Sequence, residues 1–188
     1  EPESIIGLLG RNGAGKSTVL NMIARRIEKT SGDITLDGVD LHKTPRAMHQ
    51  VYLSSTENWF PKEYKFKDLL SIYKKTYPEF DSDFAEDLIK VFGVNVKERF
   101  SKASTGYQSI MKIILALCNP SEYIFMDEPV LGLDANHRHI FNKKLLEAYA
   151  RNPRTFVIAT HLIEEVATIL EKVIVIKDGV VTEEVMVE

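Results

Sequence analysis

One segment of the sequence has the residue types and spacing of a phosphate-binding loop. The octapeptide GRNGAGKS, residues 10–17, matches the spacing G-x-x-x-x-G-K-S/T. Its three glycines let the backbone curl around an anion with N–H groups directed inward. Lys16 would bridge the β- and γ-phosphates of a nucleotide, and the Ser17 hydroxyl would complete the shell of a magnesium ion. We therefore expect phosphate binding here, although such a loop alone fits kinases, GTPases and ATPases equally well.

Two adjacent carboxylates follow an apolar segment in the second half of the chain. The stretch YIFMDEP, residues 123–129, predicts a buried strand that ends in Asp127 and Glu128. Asp127 would lie beside the magnesium ion, and Glu128 beside the water that attacks the phosphate. A solvated acidic turn is the more common structure for such a pair, so this interpretation depends on the phosphate loop in the same chain.

A histidine ends a further apolar segment, FVIATH, at residues 156–161. An isolated histidine is more often a surface residue or a hydrogen-bonded core residue than a catalytic one. His161, however, would close a strand of the same sheet, at the edge where open α/β sheets bind their ligands. In that position it would contact the γ-phosphate.

Short apolar segments alternate with amphipathic ones, which predicts a parallel sheet covered by helices on both faces. The predicted strands are residues 5–10, 51–53, 123–126, 155–159 and 172–176. The predicted helices of this core are residues 16–28, 135–150 and 162–170. An Asp-Gly pair at residues 37–38 predicts a small hairpin within residues 33–40.

The pattern becomes helical from about residue 57 to residue 120, with candidate helices at residues 67–75, 82–92 and 107–118. We interpret this stretch as a helical subdomain inserted into the α/β core. No internal repeat, low-complexity tract or linker divides the sequence. Residues 1–188 are therefore predicted to form a single α/β domain: a P-loop NTPase core with a mostly parallel sheet flanked by helices, plus the inserted subdomain.

Composition and charge narrow the classes of partner. The chain has 24 basic and 27 acidic residues, a formal net charge of -3 and no basic stripe, so no nucleic-acid partner is expected. The single cysteine, Cys118, cannot form a disulfide within the chain, which is typical of a reducing cytosol. No apolar stretch approaches the roughly 20 residues that span a bilayer, and the first residues lack the pattern of a signal peptide. We therefore expect any membrane role to depend on a partner.

Taken together, the motifs resemble those of the ATP-binding cassette (ABC) ATPases, in the order that the family has, through essentially the whole chain. Residues 10–17 match the Walker A segment, and Asp127 and Glu128 match the Walker B aspartate and the catalytic glutamate. Residues 131–134 match the D-loop, and His161 matches the switch histidine.

The resemblance implies ATP and Mg²⁺ as cofactors of the predicted fold. It implies three catalytic residues, which are Glu128, His161 and Lys16. The implied magnesium ligands are Ser17 and Asp127. The implied nucleotide-binding residues are Gly10, Asn12, Gly13, Ala14, Gly15, Lys16, Ser17, Thr18, Ser104 and Gly106.

The family signature, L-S-G-G-Q, aligns with ASTGY at residues 103–107, in which only Ser104 and Gly106 are kept. In the family this segment binds the γ-phosphate held by the opposite subunit, so the resemblance implies a homodimer or heterodimer of cassettes with ATP between them. Thr105 replaces a glycine, and a β-branched residue would be strained if the backbone there has positive φ. The threonine hydroxyl would in turn offer another phosphate donor.

Two further departures from the family concern the residue that contacts Mg²⁺ and the residue that stacks on adenine. Ser55 stands where a glutamine normally contacts Mg²⁺, so either a water replaces the amide or the coupling to the transport partner is altered. Family members usually have about 25 to 30 further residues before the phosphate loop, including an aromatic residue that stacks on adenine. Only nine residues, none aromatic, precede Gly10, so we expect an N-terminally truncated cassette with weak base selectivity.

The resemblance implies a transmembrane permease subunit as partner, and hence a cytoplasmic location, peripheral at the inner face of the cell membrane. The sequences STGYQS and DEPVLGLDANHR are similar to those of ATPases of Gram-positive bacterial exporters. Two alternatives stay open: a soluble ABC ATPase of DNA repair, chromosome structure or translation, and a weakly catalytic regulatory cassette.

Residue types alone leave open the substrate and the direction of transport. They also leave open the place of four aromatic residues, which would lie either in a permease groove or inside the helical subdomain. They are Trp59, Phe60, Tyr64 and Phe66.

Overall fold

A computed structural model describes residues 3–187, and within them six strands form one sheet and two short strands form a separate hairpin. In chain order the strands are β1 (Ile5–Leu9), β2 (Thr35–Leu36), β3 (Val39–Asp40), β4 (Val51–Ser54), β5 (Tyr123–Asp127), β6 (Thr155–Thr160), β7 (Lys172–Lys177) and β8 (Val180–Met186). The large sheet has the order β4-β5-β6-β1-β7-β8. All of its pairs are parallel except β7 with β8. The predicted α/β fold with a mostly parallel sheet is confirmed.

The described residues also form five α-helices. They are α1 (Lys16–Ile23), α2 (Phe66–Thr76), α3 (Ser82–Phe92), α4 (Thr105–Leu117) and α5 (Ala135–Arg151). The three helices predicted between residues 67 and 118 are confirmed, with ends that differ by at most two residues. In residues 3–187, no helix combines the length and the apolar character needed to cross a membrane.

Contacts divide the chain into two compact units. The sheet unit contains the chain up to Ser55, Ser121–Glu128 and the chain from Arg154 onward. The helical unit contains Thr56–Pro120 and Pro129–Pro153. Helix α5, which the sequence pattern assigns to the α/β core, therefore belongs to the helical unit. The prediction of a single domain over residues 1–188 stays a prediction.

The strand, loop and helix predicted at the start of the chain are present, but the helix is shorter than predicted. Helix α1 packs Leu20 against Leu8 and Phe125 of the sheet. It ends at Ile23 rather than near residue 28 because Arg25 adopts the left-handed conformation, with φ of 53°. The N–H of Arg25 donates to Met22 O, and that of residue 26 donates to the carbonyl of residue 21, which together form a Schellman motif that stops the helix.

The helix predicted over residues 162–170 is wrong. Two short 3-10 helices, Ile163–Glu165 and Ala167–Ile169, occupy this segment. Half of the residues from 163 to 170 are β-branched, which disfavours the α-helix. A 3-10 helix also rises about 2 Å per residue, which is more than an α-helix does. The short segment between β6 and β7 therefore covers more distance than it would as an α-helix.

Two Asp-Gly pairs form hairpin turns in the sheet unit. Asp37 and Gly38 have φ of 49° and 80° between β2 and β3, so the predicted hairpin is confirmed. Asp178 and Gly179, with φ of 50° and 78°, connect β7 to the antiparallel strand β8 in the same way. The second hairpin has the same dipeptide signal, but no strand is predicted after residue 176.

The helical unit has an apolar helix at its centre and ion pairs at its margin. In α4, the residues from Ile110 to Leu117 are buried except Lys112, as expected for a helix that is apolar on most sides. On α5, the Nζ of Lys144 donates to Asp87 of α3 at 2.6 Å and to Glu147 at 2.8 Å. Burial lowers the pKa of Lys144, but these two hydrogen bonds outweigh it, so the pKa is raised and the charge is kept.

Candidate active site

The phosphate loop, residues 10–17, connects β1 to α1, and two kinds of constraint require its glycines. Gly13 and Gly15 have φ of 81° and 106°, values that residues with a side chain rarely adopt. At Gly10 the constraint is space, because an added Cβ would lie 2.5 Å from the carbonyl oxygen of Ile176. The first helical bond, from the N–H of Val19 to Gly15 O, leaves earlier amides pointing out of the helix end. The loop therefore has the shape and the helix dipole that the phosphate-binding prediction requires.

Lys16 lies across this loop. Its Nζ donates to Gly10 O at 2.6 Å and to Arg11 O at 3.3 Å. The same Nζ is 3.8 Å from Oε1 of Glu128, and the lysine side chain is only 6% exposed. The two carbonyl bonds hold the cation over the loop, and the carboxylate joins the phosphate loop to the second half of the candidate site.

Three strands deliver the other candidates to one edge of the sheet. Leu9 of β1 pairs with Thr160 of β6, and Asp127 of β5 pairs with Ala159 of β6. Because these strands are parallel and end at the same level, the residues that follow each of them emerge together. This register explains how segments more than 100 residues apart in sequence form one site.

Glu128 has a strained backbone and a firmly held side chain. Its φ is 48°, and its N–H donates to Ala159 O at 2.8 Å. Oε1 accepts from the N–H of His161 at 3.1 Å and lies 2.8 Å from Nδ1 of the same residue. Oε2 accepts from the hydroxyl of Thr160 at 2.9 Å. Left-handed residues other than glycine concentrate at functional sites, where surrounding contacts maintain them.

His161 therefore lies beside Glu128, a contact that the sequence does not predict. An ionised carboxylate can only accept hydrogen bonds, so Nδ1 of His161 carries the hydrogen in this contact. The histidine side chain is 31% exposed, whereas that of Glu128 is 12% exposed. The imidazole thus has one edge on the carboxylate and remains accessible to a ligand.

The two candidate magnesium ligands are oxygen donors on adjacent elements. Asp127 is the last residue of β5 and is 5% exposed, and Ser17 is the second residue of α1 and is exposed. Magnesium prefers oxygen ligands, and it is commonly held by one or two protein groups together with substrate phosphates. The carboxylate and the hydroxyl fit this donor set.

Two cavities border the phosphate loop. One, of about 520 Å³, is lined by residues 9–12 together with Thr160, His161 and Ile163. The other, of about 460 Å³, is lined by residues 10–14 and by residues 175–178 at the end of β7. A ligand can therefore approach the loop from the side of His161 and from the side of β7.

The signature residues Ser104 and Gly106 lie in the helical unit, at the start of α4. The Oγ of Ser104 caps the helix by accepting from the N–H of Tyr107 at 3.2 Å. A Cβ on Gly106 would lie 2.3 Å from the carbonyl oxygen of Gly132, so the D-loop backbone packs directly against this helix end. Thr105 is the first residue of α4 and has no positive φ, so the strain expected of it does not arise.

The last D-loop residue, Asp134, caps α5. Its Oδ1 accepts from the N–H of His137 at 2.8 Å, and its Oδ2 is 2.9 Å from Nδ1 of that histidine. The backbone hydrogen bond from His137, followed by the side-chain bond, holds the pKa of Asp134 below its usual value. The D-loop is therefore fixed at one end by a charged cap and at the other by its contact with Gly106.

Ser55, which occupies the position of the family's glutamine, directly follows β4 and is buried. The next residues belong to the helical unit, where Nζ of Lys112 on α4 donates to Thr56 O at 3.0 Å and to Glu57 O at 3.2 Å. Among the four aromatic residues of this region, Phe66 is fully buried and Trp59 is 65% exposed. Phe66 therefore packs inside the helical unit, whereas a permease groove at Trp59 stays a prediction.

Sequence reasoning missed Thr160 and the turn at Asp178 and Gly179. The N–H of Gly179 donates to Ala14 O at 2.9 Å, which joins the β7–β8 turn to the phosphate loop. The Asp-Gly dipeptide is a signal for that turn, but nothing in the sequence indicates that it contacts the loop. Thr160 lies within the segment FVIATH, and in the sequence nothing marks it as functional. Only its contact with Glu128 in the structure does so.

Comparisons with known proteins agree with this geometry. The model of the family described as ABC transporter matches residues 1–131. The chain is 30% identical over 182 residues to the ABC transporter ATP-binding protein YtrB of Bacillus subtilis (strain 168), covering 97% of this chain and 62% of YtrB. It thus spans less than two thirds of that relative's length.

A second relative and a solved structure extend the comparison. The chain is 32% identical over 186 residues to the ABC transporter ATP-binding protein NatA of the same organism, covering 95% of this chain and 75% of NatA. The fold is also that of the ATP-binding cassette MJ0796, in a dimeric post-hydrolysis structure bound to ADP and Pi. That match has a TM-score of 0.83 and 21% identity, and it covers 99% of this chain and 86% of the other. The resemblance predicted from the motifs is confirmed, and the chain belongs to the ABC transporter family as an ATP-binding protein.

Proposed function

We propose that the chain binds ATP with Mg²⁺ and hydrolyses it, as one of two cassettes that drive a membrane transporter. The observation that carries the proposal is the convergence of Lys16, Glu128 and His161 around the phosphate loop, at one edge of a parallel sheet. The printed names of YtrB and NatA, both ABC transporter ATP-binding proteins, support the transport role.

The residues of the sheet unit divide the work on the phosphates. The backbone amides of residues 13–18 and the cation of Lys16 bind the phosphate oxygens and balance their charge. Glu128, held by three hydrogen-bond donors, orients and polarises the attacking water. The His161 imidazole, exposed beside the carboxylate, contacts the γ-phosphate. Ser17 and Asp127 would hold Mg²⁺, which supplies charge neutralisation on the phosphates when it is bound.

The second half of the ATP site is proposed to come from a partner cassette. Ser104 caps a helix of 13 residues, and Gly106 lies in its first turn, at the end that carries the partial positive charge that favours a phosphate. The dimeric MJ0796 cassette bound to ADP and Pi has the same fold, which supports such an arrangement. The exposed Trp59 of the helical unit supports contact with a permease, through which the chain would lie at the inner face of the membrane.

The proposal is tested by ATPase assays on the purified protein and three variants. Glu128→Gln should leave ATP binding intact and lower kcat by roughly 100-fold or more, because the carboxylate that polarises water is lost. Lys16→Ala should abolish binding as well as turnover, and Lys144→Met, in the helical unit, is the control for general destabilisation. Equal turnover by the wild type and Glu128→Gln would disprove the catalytic assignment.

The dimer is tested with the same Glu128→Gln variant. If ATP lies between two cassettes, ATP should convert this variant from monomer to dimer in size-exclusion chromatography with light scattering, because the bound nucleotide is not consumed. Adding Lys16→Ala to it should abolish the dimer. A monomer at saturating ATP would contradict the shared site.

A further inference from the structure

Thr160 occupies a position between the carboxylate of Glu128 and the backbone of the next turn. It is the last residue of β6, and its exposure is 0%. Its hydroxyl oxygen is 2.9 Å from Oε2 of Glu128 and 3.0 Å from the backbone nitrogen of Leu162. A buried hydroxyl with these two neighbours makes two hydrogen bonds within the protein.

The chemistry of the two neighbours fixes the direction of both hydrogen bonds. The N–H of Leu162 can only donate, so the threonine oxygen accepts from it. The carboxylate of Glu128 can only accept when ionised, so the single hydroxyl hydrogen of Thr160 points to Oε2. The hydroxyl therefore connects the turn after β6 to the carboxylate, and the hydrogen has no alternative acceptor among these neighbours.

The other carboxylate oxygen is held by the residue that follows. Oε1 accepts from the N–H of His161 and contacts its Nδ1, so Thr160 and His161 together engage both oxygens of Glu128. One oxygen held alone would leave the carboxylate free to rotate about the bond to Cγ. Two oxygens held from the end of the same strand fix its plane relative to the phosphate loop.

We infer that Thr160 is a positioning residue for hydrolysis, which acts by holding the plane of the Glu128 carboxylate. This inference rests on the proposed function, because it assigns a role to a residue that acts through the proposed catalytic glutamate. Thr160 lines the cavity beside the phosphate loop, but its hydroxyl is committed to Glu128 and Leu162 rather than to a ligand.

The test compares Thr160→Val, which keeps the shape and removes the hydroxyl, with Thr160→Ser, which keeps the hydroxyl. A hydrogen bond to a charged group contributes enough that its loss should lower kcat by about tenfold, with KM for ATP changed by less than about twofold. Thr160→Ser should restore kcat to within about twofold of the wild type. Rescue by serine would exclude a role that depends only on the buried methyl group.

Thr155 offers a matched control at the other end of β6. It is also a buried threonine, and its Oγ1 accepts from the N–H of Glu3 at 3.0 Å, away from the phosphate loop. Thr155→Val should lower the melting temperature about as much as Thr160→Val without changing kcat. If both valine variants lower kcat equally, the effect on turnover is one of stability, and the inference is wrong.

A double-variant cycle separates action through Glu128 from any other effect. In single-turnover assays with labelled ATP, Thr160→Val should not slow the residual reaction of the Glu128→Gln variant any further. The positioning role would be overturned if adding Thr160→Val to Glu128→Gln lowered the hydrolysis rate a further tenfold. It would also be overturned if Thr160→Val alone had the kcat of the wild type. A wild type without Glu128-dependent hydrolysis would overturn the proposed function, and this inference with it.

Discussion

The starts of α1 and α4 are both proposed to bind phosphate, yet they are built differently. Helix α1 begins after Gly15, a glycine with φ of 106° and no side chain to cap the helix. Helix α4 begins after Ser104, whose own hydroxyl caps the N–H of Tyr107. The first end leaves its amides to water or a ligand, whereas the second is partly satisfied by the chain itself. This difference suits a loop that holds the nucleotide and a signature that engages it only when a partner arrives.

The glycines at these two helix starts also differ in the reason they are required. Gly13 is in a left-handed conformation with no atom within 4 Å of an added Cβ, while Gly106 is helical and blocked by Gly132 O at 2.3 Å. The first needs glycine for its backbone torsion, and the second needs it for space.

Gly106→Ala should have the largest effect on stability. Alanine favours a helix over glycine by about 1 kcal/mol, but forcing a methyl group to within 2.3 Å of a backbone carbonyl oxygen should cost at least about 3 kcal/mol, the upper end for overpacking, and displace the D-loop. We expect a net loss in the free energy of unfolding, measured by urea denaturation, and loss of the ATP-dependent dimer. Gly13→Ala, with no collision, should lose only the cost of its positive φ, about 1–2 kcal/mol. A neutral or stabilising Gly106→Ala would show that the close approach to Gly132 is absent.

Ser104→Ala should have an intermediate effect. Loss of the cap should lower the free energy of unfolding by about 1 kcal/mol, because the N–H of Tyr107 loses its acceptor. Ser104→Gly should lower the free energy of unfolding by only a few tenths of a kcal/mol, since water reaches the exposed helix end more easily beside glycine. If alanine and glycine cost the same, the cap contributes little, and the starts of α4 and α1 are more alike than the structure indicates.

Asp134→Asn should have the smallest effect and only in acid. The folded-state pKa of Asp134 is lowered, so its charged cap stabilises α5 above the unfolded pKa of about 3.9 and loses that contribution as pH falls through the folded value. Asparagine also caps, so the variant should match the wild type near pH 7 and lose less stability between pH 5 and pH 2. Urea denaturation across this range measures the difference.

Ser104 caps α4 with a neutral hydroxyl and is therefore a control for the pH dependence expected of the charged cap at Asp134. Its hydroxyl does not titrate in this range, so Ser104→Ala should lower the free energy of unfolding by the same amount at pH 7 and in acid. A pH-dependent cost at Ser104, or an identical acid profile for Asp134→Asn and the wild type, would contradict the assignment of the two caps.

The sequence was most informative where function depends on local spacing. The phosphate loop, the pair Asp127 and Glu128, and the terminal His161 each depend on a short motif at the end of an apolar segment, and the structure places each at the end of its strand. It was least informative for the segment after His161, where β-branched residues and the distance to β7 override an amphipathic pattern. It also gave no sign that α5 belongs to the helical unit, because its amphipathic pattern does not identify the surface it covers.

The sequence by itself determined which residues are expected to hold phosphate and in which order the motifs follow, because these depend on torsion, charge and spacing along a few residues. Only the tertiary structure decided that Thr160 holds Glu128, that Gly179 supports the phosphate loop and that Gly132 requires glycine at Gly106. Each of these contacts joins residues 26 to 165 positions apart. Such contacts depend on strand register and on the packing of whole elements, which short-range patterns do not contain.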